Sequence, residues 1–162
     1  MDSNATESKY LVVTSQLDAP PELVWRCWTE PEHLRAWFGP DAFAIDVCTV
    51  DLRVGGRSFM DMRCLDGEYA GKHICCGLKF EELAAARRIV AEGYFADREG
   101  NEVPPEYYGN TVWPEKVEMI VELVPRDGGT LMTYTETVLP LPLQEQNWRE
   151  FIAKLERHIT TL

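Results

Sequence analysis

Two pairs of side chains on strand-like segments have the residue types needed for acid–base chemistry. Glu92 and Tyr94 share one face of a strand, and Glu136 and Tyr134 share one face of another. A strand carboxylate ordinarily points to the solvated face of a half-buried antiparallel sheet. If its face points into the core instead, burial raises the pKa of the carboxyl group and makes it a candidate catalytic acid or base. The candidate acid–base groups, all of which lie within predicted strands, are Asp61, Glu92, Glu118 and Glu136.

Other catalytic and metal-binding signatures are missing from the sequence. It contains no G-x-S-x-G elbow, G-x-G-x-x-G loop, Walker loop or H-E-x-x-H helix. A metal cluster could be imagined from Cys64, His73 and the Cys75-Cys76 pair, but adjacent cysteines on a strand point to opposite faces. We therefore expect no metal, no cofactor and inert, reduced thiols. The three histidine residues fall in three different elements without ligand spacing: His33, His73 and His158.

A set of methionine, aromatic and aliphatic side chains is the stronger functional signal. Methionine adapts to varied shapes, while tyrosine and tryptophan offer single hydrogen bonds at fixed points, so the set suits a ligand cavity. Dense core packing is the alternative explanation. Within the set, Tyr94 or Tyr134 would supply a polar anchor. The candidate ligand-binding residues are Trp37, Phe43, Met60, Met62, Tyr94, Trp113, Met119, Tyr134, Trp148, Phe151, Ile152 and Leu155.

The last segment of the sequence must position these candidate ligand-binding side chains. Between residues 143 and 162, apolar side chains recur at helical spacing and form one stripe on an α-helix. Pro140 and Pro142 keep a strand from running into that helix, because proline cannot donate to a ladder. A stripe with large aromatic residues needs a broad apolar partner, which a sheet can supply. The stripe consists of Trp148, Phe151, Ile152, Leu155, Ile159 and Leu162.

The chain before that helix reads mainly as strands. A strand over 9–17 is followed by two short helices, which begin near Pro20-Pro21 and Pro31. Turn signals then recur about every dozen residues, and short turns favour an antiparallel meander. The predicted class is α+β, with a curved sheet around the last helix. The further strands are predicted over 43–52, 57–65, 72–83, 88–96, 116–125 and 130–138.

One connection, residues 97–114, is unusually long. It includes Tyr107, Tyr108 and Trp113. A loop of this length in a compact domain is commonly a lid or a binding loop, which would gate the cavity. The alternative is an aromatic flap that covers an unpaired edge of the sheet.

The charge balance argues against two classes of partner. The sequence has 27 acidic and 16 basic residues, a formal charge of -11, and a pI near 4.7. This field repels phosphate backbones and anionic lipid surfaces. No apolar run approaches the roughly 20 residues of a membrane span, and the first residues do not resemble a signal peptide. We expect a mobile tail over 1–8, one domain over 9–162, and a cytoplasmic protein without nucleic-acid binding or membrane insertion.

Several motifs follow one another in an order that indicates a family resemblance. They are Ala19-Pro20-Pro21-Glu22-Leu23-Val24-Trp25, Trp28-Thr29-Glu30-Pro31-Glu32-His33-Leu34, Trp37-Phe38-Gly39-Pro40, Asp51-Leu52-Arg53-Val54-Gly55-Gly56-Arg57, Tyr108-Gly109 and Trp113-Pro114-Glu115. This order resembles the family of activators of the heat-shock chaperone ATPase (AHA1-like), in the START-like (SRPBCC) superfamily. The resemblance implies a helix-grip fold. In that fold an antiparallel sheet of six or seven strands wraps around a long C-terminal helix, with two short helices after strand 1.

The resemblance leaves several functions open, because the superfamily includes lipid carriers, hormone receptors and aromatase/cyclases. The small side chains of Cys75-Cys76-Gly77 favour an enlarged pocket. We expect a binding protein for a small apolar or amphipathic ligand held between sheet and helix, in a monomer or homodimer. One alternative is a stress-related interaction module that regulates a chaperone or another protein. The other is a cyclase- or hydrolase-type enzyme that uses Glu92 or Glu136, and we favour a protein without enzymatic activity.

Overall fold

The structure, a computed structural model, describes residues 10–109, 116–137 and 142–162. The predicted tail over 1–8 and Trp113 therefore lie outside the described residues. The elements are β1 (Tyr10–Leu17), α1 (Pro21–Thr29), α2 (Pro31–Trp37), β2 (Phe43–Val50), β3 (Ser58–Cys64), β4 (His73–Ala84), β5 (Arg88–Ala96), β6 (Glu102–Val103), a 3-10 turn (Pro105–Tyr108), β7 (Val117–Arg126), β8 (Gly129–Thr137) and α3 (Pro142–Ile159). Within these ranges, no helix combines the length and apolarity needed to cross a membrane.

The strands form one antiparallel sheet that curls around α3. Their order is β1-β8-β7-β5-β4-β3-β2, and the two-residue β6 pairs with the end of β5. The chain crosses from β1 at one edge to β2 at the other through the two short helices. The predicted α+β helix-grip class is confirmed, with β6 as a strand beyond the expected six or seven.

Two irregularities of register help the sheet to curl. Pairing shifts between Ile45 and Val47 of β2, and again between Phe80 and Glu82 of β4. Bulges of this kind bend a strand and increase its local right-handed twist. Both lie in the half of the sheet formed by β2 to β5, so they bend that half around the helix.

Three stacked aromatic rings join the helices to the sheet. Trp148 of α3 stacks on Tyr134 of β8, with ring centroids 3.9 Å apart. Trp28 of α1 stacks beside both, 6.0 Å from Tyr134 and 6.3 Å from Trp148. All three residues are buried, and such aromatic pairs add about 0.5–1.5 kcal/mol beyond the burial of their area. The stack therefore fixes α1 and α3 against the same strand.

Two hydrogen bonds hold α2 between the other helices. Trp37 Nε1 donates to the carbonyl oxygen of Cys27 in α1 over 2.9 Å. Lys154 Nζ of α3 donates to the carbonyl oxygen of Gly39, just after α2, over 2.8 Å. Because Trp37 is fully buried, its bond also satisfies an indole donor that would be costly to leave unpaired.

The two faces of the sheet have different compositions. Ile89 and Ala91 of β5 belong to the main core under the helices, which defines the inner face. Tyr94 and Ala96 of the same strand form a smaller cluster with Cys75, which defines the outer face. Successive strand residues point to opposite faces, so this separation follows from the alternation of β5.

Leu155 tests how much the fold depends on the packing of α3. It is fully buried, so Leu155→Ala leaves a cavity and should lower the free energy of unfolding by about 2–5 kcal/mol. Urea denaturation followed by tryptophan fluorescence measures this change. Leu162→Ala is the matched control, because Leu162 is 55% exposed and its truncation should cost less than about 0.5 kcal/mol. Equal losses in the two variants would contradict the described packing.

Candidate functional site

A cavity of about 200 Å³ lies between the inner face of the sheet and α3. Its walls come from β4, β5, β7, β8, the first half of α3 and the residue that follows α2. Glu136 provides the one carboxyl group among the described lining residues. Those residues are Phe38, Cys76, Gly77, Leu78, Gly93, Tyr94, Phe95, Val117, Met119, Tyr134, Glu136, Gln144 and Trp148.

Two neutral donors hold the carboxyl group of Glu136 at the cavity wall. Tyr134 Oη donates to Oε2 over 2.5 Å, and Gln144 Nε2 donates to Oε1 over 2.8 Å. Tyr134 lies two positions earlier on β8 and so shares the inner face. Gln144 comes from the first turn of α3. Glu136 itself is only 5% exposed, so its environment is set by these partners rather than by water.

Burial raises the pKa of the Glu136 carboxyl group, because desolvation disfavours its charged form. Hydrogen bonds from Tyr134, Gln144 and Trp148 lower this pKa and partly oppose the effect. Among the described residues, no lysine or arginine forms an ion pair with Glu136. The site is therefore a desolvated acid that has hydrogen-bond donors but lacks a counter-charge in this part of the chain.

Tyr134 is a hydrogen-bond donor in this arrangement and not a base. Burial and the adjacent Glu136 raise the pKa of its phenol well above the ordinary value, so the phenol keeps its proton. The carboxyl group is thus the member of the pair that can change its charge. It can accept a cation, accept a hydrogen bond, or exchange a proton with a bound molecule.

The structure divides the predicted ligand-binding residues by their surroundings. Those that line the cavity are Tyr94, Met119, Tyr134 and Trp148. Those buried in the main core without lining it are Trp37, Met60, Ile152 and Leu155. Those that are half-buried and do not line it are Phe43, Met62 and Phe151. Four of the eleven described members thus border the cavity, and the ligand-binding role of the set stays a prediction.

The two predicted polar anchors face different sides of the sheet. Tyr94 borders the cavity, but its ring packs in the outer-face cluster with Cys75. Its hydroxyl donates to the carbonyl oxygen of Ser58 over 3.0 Å. The hydroxyl that meets a cavity carboxylate is that of Tyr134.

The two candidate acid–base residues are separated in the same way. Glu92 lies on the outer face with Tyr94, and its side chain is 3.7 Å from the ammonium groups of Lys79 and Lys116. Glu136 lies on the inner face and lines the cavity. Of the two glutamates, Glu136 is therefore the one whose carboxyl group a molecule in the cavity would contact.

Several lining residues gave no functional signal in the sequence. Gln144 looks like an ordinary polar helix residue, and only the placement of α3 shows that it bonds Glu136. Gly93 lies opposite Leu78 on the inner face, where its missing side chain leaves room. The small Cys76-Gly77 segment was the useful sequence signal, since both residues line the cavity.

The cysteine residues are free thiols, as expected. Burial raises the pKa of Cys27, Cys48 and Cys75 to about 11 and that of Cys76 to about 12. A thiol with so high a pKa stays protonated near neutral pH and is a poor nucleophile. Cys76 therefore contributes an apolar contact to the cavity wall.

The described part of the long connection is attached to the outer face. Tyr108 Oη donates to the carbonyl oxygen of Ala96 over 2.5 Å and accepts a bond from the Cys75 amide over 3.1 Å. Tyr107 packs edge-on against Tyr108 and is 60% exposed. The described residues of the connection are thus held against β4 and β5, and its role as a lid or a flap stays a prediction.

A curled antiparallel sheet around a C-terminal helix, with two short helices after the first strand, defines a START-like helix-grip domain. The chain belongs to the family described as activator of Hsp90 ATPase homolog 1-like protein, which matches residues 18–160. The resemblance read from the motifs is therefore confirmed. A search of curated proteins finds no match.

Solved structures of similar proteins share the fold. A protein from Nitrosomonas europaea is 26% identical with a TM-score of 0.71, over 95% of this chain and 96% of that one. A protein from Arthrobacter aurescens is 22% identical with a TM-score of 0.76, over 96% and 88%. The AHSA1-like protein from Aeromonas hydrophila is 20% identical with a TM-score of 0.68, over 94% and 92%.

The raised pKa of Glu136 makes stability depend on pH. A carboxyl group whose pKa is raised by folding stabilises the fold while protonated, and this contribution is lost as pH rises through the folded-state value. Glu136→Gln removes the ionisation with little change of shape. The free energy of unfolding of the variant, minus that of the wild type, should therefore increase as pH rises above about 4.5.

Chemical denaturation at a series of pH values measures this difference. Glu92→Gln is the control, because it also removes one glutamate but from the lysine-paired outer face. It should not reproduce the increase. A difference between Glu136→Gln and wild type that is flat or falls with pH would contradict the described burial of the carboxyl group.

Proposed function

We propose that the protein binds a small amphipathic molecule with one basic nitrogen, its apolar part in the cavity and its nitrogen at Glu136. The observation behind this proposal is a buried carboxyl group in an apolar wall that has neutral donors but no cation among the described residues. A protonated amine supplies the missing counter-charge through a charge-assisted hydrogen bond. Binding then favours the ionised form of Glu136 over the protonated one.

The shape and lining of the cavity suit a small ligand. Its volume of about 200 Å³ lies below the roughly 300–1,000 Å³ of pockets for drug-sized molecules. Phe38, Met119 and Trp148 offer aromatic and thioether contacts to a ring or a short alkyl chain. The net charge of -11 also raises the local concentration of cations around the protein.

Three small aromatic probes of similar size but different charge test the role of the carboxyl group: benzylamine, benzyl alcohol and benzoate. We expect benzylamine to bind tightest in isothermal titration calorimetry and benzoate weakest. Glu136→Gln should weaken benzylamine binding about 10-fold to 100-fold, since a hydrogen bond to a charged group contributes about 1.5–3 kcal/mol. The affinity of this variant for benzyl alcohol should fall much less. Glu92→Gln, on the outer face, should bind all three probes as the wild type does.

Gly93→Ala provides a second control, directed at the cavity itself. A Cβ at this position meets the Val117 carbonyl oxygen at 3.5 Å, an ordinary contact, so the variant should fold. Its methyl group occupies part of the cavity and should weaken all three probes about 10-fold. If benzylamine binds equally well to wild type, Glu136→Gln and Gly93→Ala, the proposed site is wrong.

Protein interaction is a second candidate function, favoured by the edge strand β1. Tyr10 and Val12 are 53% and 52% exposed on this strand. An edge strand with exposed apolar residues can pair with a strand of another protein. The family description names the Hsp90 ATPase, so an Hsp90-type chaperone is the partner to test.

The steady-state ATPase rate of an Hsp90-type chaperone measures this second function. If β1 docks on the chaperone, added wild-type protein should raise the rate. Val12→Lys should abolish the increase while leaving stability nearly unchanged, because the side chain is solvent-exposed. A rate that does not respond to the wild-type protein would exclude this role.

A further inference from the structure

Two histidine residues that lie far apart in the sequence meet where α2 packs against α3. His33 Nδ1 and His158 Nε2 are 2.9 Å apart. The buried thiol of Cys27 in α1 completes a cluster whose ligand atoms all lie within 4.8 Å of one another. No local sequence pattern predicts this cluster, because its members come from three helices.

A carboxylate, itself paired with Arg26, lies beside the first histidine. Glu30 Oε1 lies 3.6 Å from His33 Nε2, so the proton on Nε2 faces the carboxylate and the lone pair of Nδ1 faces His158. His158 Nε2 is then the donor between the two rings. A carboxylate behind a histidine is the arrangement that orients imidazole ligands in metal sites.

We propose that His33, His158 and Cys27 form a site for a zinc-class divalent cation, oriented by Glu30. Two imidazole nitrogens and one thiolate are a donor set that Zn²⁺ prefers, with a fourth position left for water. Ligand atoms of a tetrahedral zinc ion lie about 3.3–3.8 Å from one another. The two nitrogens must therefore separate slightly while the sulfur moves closer, which are side-chain adjustments.

The protons balance in this step. The proton on His158 Nε2 is replaced by the metal, and the ring takes its proton on Nδ1 instead. The Cys27 thiol releases its proton to solvent, as thiol ligands do when they coordinate a metal. His33 keeps its proton on Nε2, directed at Glu30. The cluster thus loses one proton for each cation bound.

The surroundings allow a cation to enter. Glu30, Glu32 and His33 have their ligand atoms within 4.8 Å of one another, so two carboxylates flank the site. An open surface depression reaches His158 and is also lined by Ala36, Lys154, Arg157 and Thr161. The ammonium group of Lys154 is directed at the Gly39 carbonyl oxygen and at Asp41. Arg157 and Arg26, whose Nε donates to Glu30 Oε2 over 3.0 Å, are positive charges that the two glutamates must offset.

Titration of the full protein with Co²⁺ and Zn²⁺ tests the site. We expect one equivalent of Co²⁺ to bind with a thiolate-to-cobalt charge-transfer band in the near ultraviolet, and Zn²⁺ to displace it. Glu30→Gln should weaken Zn²⁺ about 10-fold to 100-fold, as for partners that orient a ligand. His33→Gln and His158→Gln should each weaken Zn²⁺ binding by a larger factor, because each substitution removes a ligand.

The third histidine supplies a matched control. His73 is hydrogen-bonded to Asp61 over 2.6 Å, away from the cluster, so His73→Gln should bind Zn²⁺ as the wild type does. Glu136→Gln should also bind it normally, which separates this site from the amine site. Equal affinity in His33→Gln and His73→Gln, or no saturable binding by the wild type, would overturn the proposal. Cobalt binding to the wild type without the charge-transfer band would show that Cys27 is not a ligand and would overturn the proposed three-residue site.

Discussion

The contact between Trp148 and Tyr134 is the constraint on which the cavity depends. One ring belongs to α3 and the other to β8, and their centroids are 3.9 Å apart. Gln144 lies one helical turn before Trp148, on the same side of α3, and Tyr134 shares a strand face with Glu136. The stack that fixes the helix over the sheet therefore also brings both hydrogen-bond donors to the carboxyl group. Packing and polar chemistry in this site have a common origin.

Strand alternation in the sequence correctly paired each glutamate with its tyrosine, but it did not say which pair faces the helix. Which pair faces the helix depends on the residues that lie beside each glutamate on the neighbouring strands. Glu92 lies opposite Lys79 on β4, whereas Glu136 lies between Leu11 of β1 and Met119 of β7. These neighbours are set by the register and curl of the whole sheet. A pattern with a period of two residues identifies shared faces and leaves their direction open.

In the helices too, the local sequence pattern predicts some contacts and not others. The spacing of Trp148, Ile152 and Leu155 predicted an apolar stripe, and all three are buried in the core. The bond from Gln144 to Glu136 and the contact between His33 and His158 join residues in different elements. No local pattern encodes such contacts, because they arise only when α3 is seated on the sheet and against α2.

The pairing of β1 with β8 has a consequence for the order of folding. Their register runs from Tyr10 opposite Thr137 to Leu17 opposite Thr130, so the two strands come from nearly opposite ends of the sequence. Strands β2 to β5 can pair with their neighbours as they leave the ribosome, because short turns join them. Among the described strands β1 pairs with β8 alone, so this pairing must wait until β8 has been synthesised, and such distant pairing is slow. β1 is thus among the last of these strands to be incorporated, and the cavity wall is completed only after β8 and α3 have been made.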